Sequence, residues 1–197
     1  MSEGMLLPQD DIDEVLVSAW RLLARGTADW REGFHTISAA TIGLDGRPRN
    51  RTVVLRGVDS LTRTLRFHCD RRTGKCAELS ADPRIALLGY DPHTGVQLRV
   101  EGMATLHTDD AVAEEAWSRS LPSNRINYGS VPAPGEIIRT GGDYALSAAG
   151  EEGGRSEFCA ILVRMESLEF LHLAREGHRR ARFRWDGARI EATWLVP

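Results

Sequence analysis

The sequence predicts a mainly β protein with peripheral helices, an α+β chain whose strands form an antiparallel barrel. Three observations point there: seven or eight short strand-like runs, Asp-Gly hairpin signals at 45–46 and 186–187, and only two or three helical segments. With 197 residues, 42% hydrophobic and 27% charged, the chain suits a single globular domain over 1–197 with a sizeable core. No internal repeat or composition break divides it.

The elements follow in order. An N-terminal helical element falls within 1–26: Asp10 or Asp11 can cap it, Ile12, Val15, Leu16, Ala19, Leu22 and Leu23 recur on one face, and Gly26 ends it. Phe34 to Leu44 reads as a strand that turns at Asp45-Gly46 into a second arm, NRTVVLRG at 50–57. Strands are expected at 64–69, 85–90 and 96–106, with a short helix from Thr73 to Leu79 ended by Asp82-Pro83, and a turn at 91–95. Residues 109–119 read as a helix capped by Asp109 or Asp110. The stretch 129–156, rich in Gly and Pro, predicts a long flexible loop. Strands at 157–164, 167–173, 180–185 and 189–195 complete the chain, Arg182 and Arg184 alternating with Phe183 and Trp185.

Several function classes lose ground. A net charge of −3 gives no basic footprint for nucleic acid. The acidic start lacks a leader's basic region, and apolar runs such as 158–163 are far short of a membrane span. Three cysteines, Cys69, Cys76 and Cys159, without C-x-x-C spacing argue against a disulfide framework or a structural zinc site and suit a reducing cytoplasm. Nucleotide-loop, zinc-protease and serine-hydrolase motifs are missing, and the six histidines lie apart.

What remains is a set of polar residues at strand ends. Arg51 and Arg56 are five residues apart on one strand, an odd separation that sends them to opposite faces. His68-Cys69-Asp70 closes the next strand, and Thr73-Gly74-Lys75, holding the chain's only lysine, opens a helix whose free N–H groups suit a phosphate. Gln97 begins another strand. A solvated rim of charges around a barrel mouth would leave the same pattern.

The order RTVVLRGVD, LRFHCDRRTGKCAELSADPRIALLGYDP, VQLRVEGMA and EFLHL…GHRRARF with ATWLVP resembles the pyridoxamine 5′-phosphate oxidase family over residues 34–197, and its oxidase-related subgroup most. The resemblance implies a split β-barrel holding FMN at a homodimer interface. It also implies hydride transfer between a small molecule and flavin N5. Position by position it places Arg51 on the FMN phosphate and Thr52, Val53, Val54 and Leu55 along the flavin ring. Arg56 takes the place of a lysine that reaches the substrate, and His68 and Cys69 replace a Tyr-Thr pair beside the flavin. Thr73 and Lys75 match phosphate ligands, whereas Gly74 replaces the arginine between them; Gln97 and Arg180 match flavin contacts. On the substrate side stand Arg56, Arg125 and His178, with Glu176 where the authentic oxidases carry arginine and Leu171 where they carry tryptophan. Alternatives are a flavin, haem or deazaflavin carrier without turnover, and the authentic oxidase itself.

Overall fold

The computed structural model describes residues 10–146 and 153–197, so the first nine residues and part of the GEEGG run in the expected long loop lie outside the described residues. Helix α1, Ile12–Ala28, starts at Asp11, whose carboxylate accepts from the N–H groups of Asp13 and Glu14 at 2.9 and 3.1 Å. Val15, Ala19, Leu22 and Leu23 are its buried face. Gly26 does not end it. A Cβ there would lie 2.6 Å from the Phe34 carbonyl carbon, so this glycine permits close packing inside the helix, not a stop.

Strands β1 (Thr36–Ile42), β2 (Pro48–Asp59) and β3 (Thr64–Asp70) form a meander, with Gly46 at φ 77° in the first turn. Helix α2 (Gly74–Ala81) precedes β4 (Arg84–Asp91) and β5 (Val96–His107). Asp91 is buried in the turn between these two, where its carboxylate accepts from His93 N–H at 3.0 Å and Thr94 Oγ1 at 2.8 Å. Helices α3 (Ala111–Ser118), capped by Asp110, and α4 (Pro122–Arg125) come next. The expected loop contains only an isolated Val131–Ala145 bridge and a 3-10 turn at Arg155–Glu157 among its described residues.

The two strands expected at 157–164 and 167–173 are one strand, β6, Phe158–His172. Arg164-Met165-Glu166, between the two expected strands, is where the strand changes partner. Residues 158–164 of β6 pair with β3, while 167–172 pair with β7 (Arg179–Asp186), itself paired to β8 (Arg189–Leu195). On its other edge β6 follows β5 throughout, with Glu166 bulged out between the pairs Glu101↔Ser167 and Gly102↔Met165. The β3–β6 pairing closes six strands, in the order β3-β2-β1-β4-β5-β6, into an antiparallel barrel from which β7 and β8 continue as an extension. The barrel is split at this point. Phe67, Leu55, Ile161, Val163 and Phe170 fill its interior; α1 packs on β2, β6, β7 and β8, and α2 packs on β1 and β5, burying Cys76 and Leu79.

Candidate functional site

Alternation along β2 sets the site. Val53 and Leu55 point inward and are buried, so Arg51 shares their face and reaches the barrel end, whereas Thr52, Val54 and Arg56 face outward. At that end Arg51 Nη2 pairs with Glu78 Oε2 of α2 at 2.6 Å and Nη1 donates to Thr41 Oγ1, which itself donates to Glu78 Oε2 at 2.6 Å. One turn earlier on α2, Lys75 Nζ donates to Thr73 Oγ1 at 3.1 Å, and Thr73 Oγ1 donates to the Asp70 carbonyl at 2.7 Å. Thr73 therefore makes no side-chain cap for α2. A Cβ on Gly74 would meet only Glu78 Oε1, at 3.7 Å.

This region offers an anion a helix start, an ammonium and open space above Gly74, a combination that fits the phosphate of FMN. Arg51 fits less simply, because Glu78 already holds its charge. No such competitor was evident in the sequence, since Glu78 lies 27 residues from Arg51.

Arg56 occupies a second place. A bulge between Leu55 and Gly57 leaves it without a register partner on β3, and it makes no ion pair with a described residue. It lines a cavity of about 120 Å³ with Arg66, His68, Arg119, Asn124 and Tyr128, between the outer face of β2–β3 and helices α3–α4. Arg66 is held by Glu115, yet its Nε, like His68 Nε2, is buried without a hydrogen-bond partner. Burial, then the Arg66 and Arg56 cations, depress His68 to about 3, so its ring is neutral at ordinary pH. Burial also pushes the Tyr128 hydroxyl up to about 12. Arg56, the cation here without an ion-pair partner among the described residues, suits an anion beside a neutral imidazole, while Glu115 holds both Arg66 and Arg119. Arg66 and Tyr128 are absent from the sequence-based set; the alternation of Arg66 with His68 was the available signal for the first.

Other candidates are placed differently from expectation. Cys69 points inward at 7% exposure, so its side chain cannot flank a ligand on the outer face. Arg125 is used structurally: its Nη2 donates to the carbonyls of Trp117 and Ser118 at 2.9 and 3.1 Å, and its guanidinium stacks 4.9 Å from the Trp117 ring centre. It closes the end of α3 and does not line the Arg56 cavity. Gln97, Leu171 and Arg180 are register neighbours across β5, β6 and β7, next to Tyr90. Arg180 is tied to Glu169 Oε2 at 2.7 Å. Gln97 lies three strands from β2, about 14 Å along the sheet. His178 is exposed between β6 and β7. One chain thus sets Arg51, through Glu78, and the Thr73–Lys75 pair on the same helix α2, and Arg56 with His68 in a separate cavity, with Gln97, His178 and Arg180 in neither group.

A closed six-strand antiparallel barrel with an extended hairpin defines a split-barrel protein. Comparison with known proteins agrees. Residues 17–108 match the family model described as pyridoxamine 5′-phosphate oxidase, FMN-binding domain. The pyridoxine/pyridoxamine 5′-phosphate oxidase 2 of Arabidopsis thaliana is 28% identical over 168 residues, covering 80% of this chain and 84% of that protein. The oxidase of Cupriavidus metallidurans is 27% identical over 161 residues, covering 82% of this chain and 65% of that one. Among solved structures, a pyridoxamine 5′-phosphate oxidase-related, FMN-binding protein of Nostoc punctiforme superposes with TM-score 0.76 at 24% identity, covering 92% of this chain and 96% of the other. PhzG of Burkholderia lata, solved with tetrahydrophenazine-1-carboxylic acid, gives 0.70 at 20% identity and 92% coverage of both. In sequence over residues 17–108 and in fold throughout, the chain is similar to the pyridoxamine 5′-phosphate oxidase-related, FMN-binding split-barrel proteins.

Proposed function

We propose that this protein binds FMN at the start of α2 and works as an oxidoreductase on a small anionic molecule. The flavin, when bound, would supply a hydride acceptor or donor at N5. Lys75, Thr73 and the first N–H groups of α2 would hold its phosphate, with Arg51 joining once released from Glu78. Thr52 and Val54 present the outer face of β2 toward the ring. Arg56 would orient the substrate's negative group, His68 offering one neutral hydrogen bond beside it. The observation that carries this reading is the unpaired Arg56, set beside two buried nitrogens without partners in a cavity next to the same strand.

The authentic oxidase is the weaker reading. Glu176, exposed in the β6–β7 turn, would bring a negative charge where a substrate phosphate has to approach. Relatives that include those of Arabidopsis thaliana and Cupriavidus metallidurans carry that oxidase name, which justifies assaying it directly.

Titration with FMN, followed by flavin fluorescence and visible absorption, tests the cofactor; the expected result is about one flavin per chain. Arg51→Ala combined with Lys75→Ala should release it, while Arg56→Ala should keep FMN but lose turnover of anionic substrates. A folded protein that gains no flavin band overturns the proposal. Flavin binding without turnover across a panel of phosphorylated and carboxylated amines and alcohols would leave a carrier instead.

A further inference from the structure

Three cysteines that the sequence scatters over 90 positions meet at one point inside the barrel end. Cys69 on β3 and Cys159 on β6 are directly opposed register partners, both pointing inward. Cys76, on the first turn of α2, descends onto the pair. Its Sγ lies 3.4 Å from Cys69 Sγ, and all three sulfurs fall within 4.8 Å of one another. They are free thiols with exposures of 7%, 5% and 0% for Cys69, Cys76 and Cys159.

Space filling alone does not require this arrangement. Cysteines used as small apolar residues pack against carbon, whereas here three separate elements aim their sulfurs at a common centre. Sulfurs bonded to one metal at about 2.3 Å stand roughly 4 Å apart, so the triad needs only small adjustments to take an ion. Lys75 neighbours Cys76, and the Cys76 and Cys159 thiols donate at 3.7 Å to the carbonyls of Asp70 and Ala160, bonds that a metal would replace.

We propose that Cys69, Cys76 and Cys159 form a three-thiolate site for one soft, thiophilic divalent metal ion. Soft thiolates select such ions over magnesium or calcium. On binding, three S–H bonds break, three sulfur–metal bonds form and three protons leave to solvent; no electron is transferred. The resulting single negative charge lies next to Lys75, the same ammonium that the FMN phosphate would use. The absence of C-x-x-C spacing hid the site, because its ligands come from two strands and a helix.

The test uses the reduced full-length chain and Cd²⁺ as probe. One equivalent should saturate a sulfur-to-cadmium charge-transfer band in the ultraviolet, and X-ray absorption at the cadmium edge should count three sulfur neighbours. Cys76→Ser should weaken binding by more than about 100-fold, since even loss of a supporting group around a metal costs 10- to 100-fold. The wild-type absorption measurement decides even if that variant misfolds. No band at one equivalent, oxygen and nitrogen neighbours alone, or an affinity unchanged in folded single serine variants at all three positions would overturn the proposal.

Discussion

Two side chains show how a single residue tunes the candidate site. Glu78 neutralises Arg51 at 2.6 Å, with the two side chains 12% and 24% exposed. A phosphate arriving at α2 must compete with that carboxylate for the guanidinium. Glu78→Gln keeps an acceptor for Thr41 but removes the charge, so FMN affinity is expected to rise about tenfold, equivalent to roughly 1.4 kcal/mol; fluorescence titration checks it. An unchanged or weaker affinity would mean that Arg51 serves the fold alone. His68 gives a pH signature. Its folded pKa, about 3, lies below the ordinary 6.5, so between those values the unfolded chain binds a proton that the native ring refuses. The stability this neutral ring contributes is therefore complete above pH 6.5 and is lost as pH falls toward 3. The slope should reach at most roughly 1.4 kcal/mol per pH unit. Urea unfolding at several pH values should show a flatter dependence in His68→Gln between about pH 6.5 and 5. Equal slopes would place the imidazole in contact with solvent.

At the scale of elements, the barrel depends on one crossing. Gly102 of β5 faces the Glu166 bulge of β6, and a Cβ there would collide with the Arg164 carbonyl. Gly102→Ala must push apart the strands where β6 changes partner from β3 to β7. A loss of roughly 1–3 kcal/mol in chemical denaturation is expected, the usual cost of overpacking; wild-type stability would show that the bulge yields freely. That crossing also marks the limit of what the sequence disclosed. Hairpin turns at Gly46 and Gly187, the α1 stripe and the alternation in β7 were legible because each is written in neighbouring residues. The single long β6 was not, since its change of partner is a property of three strands at once. The site divides in the same way. Outward Arg56 and inward Arg51 follow from counting along one strand, and Lys75 at a helix start from local pattern. Glu78 on Arg51, Arg125 under Trp117 and the three converging cysteines depend on contacts 27, 8 and as many as 90 residues apart, which no window reads.

The whole molecule leaves the proposed site incomplete in one chain. Gln97 and Arg180 lie on the outer face of the sheet, strands away from Arg51, and His178 is exposed beyond them. Between them and β2 runs a surface of small and apolar side chains, Ser38 and Ala40 on β1 with Ala86, Leu88 and Tyr90 on β4; Leu88 and Tyr90 are 42% and 47% exposed. Small residues let another sheet approach closely, and exposed apolar rows are uncommon on a lone chain. A second copy packed here by two-fold symmetry could bring its own Gln97 and Arg180 toward the first copy's flavin. Leu88→Arg places a charge in the middle of that surface without touching the core or the α2 turn. Light scattering is expected to report a dimer for the wild-type protein and a monomer for the variant, with FMN affinity falling at least tenfold although Lys75 is intact. A monomeric wild-type protein fully loaded with flavin would rule out the shared site and require Gln97 and Arg180 to serve some other purpose on this face.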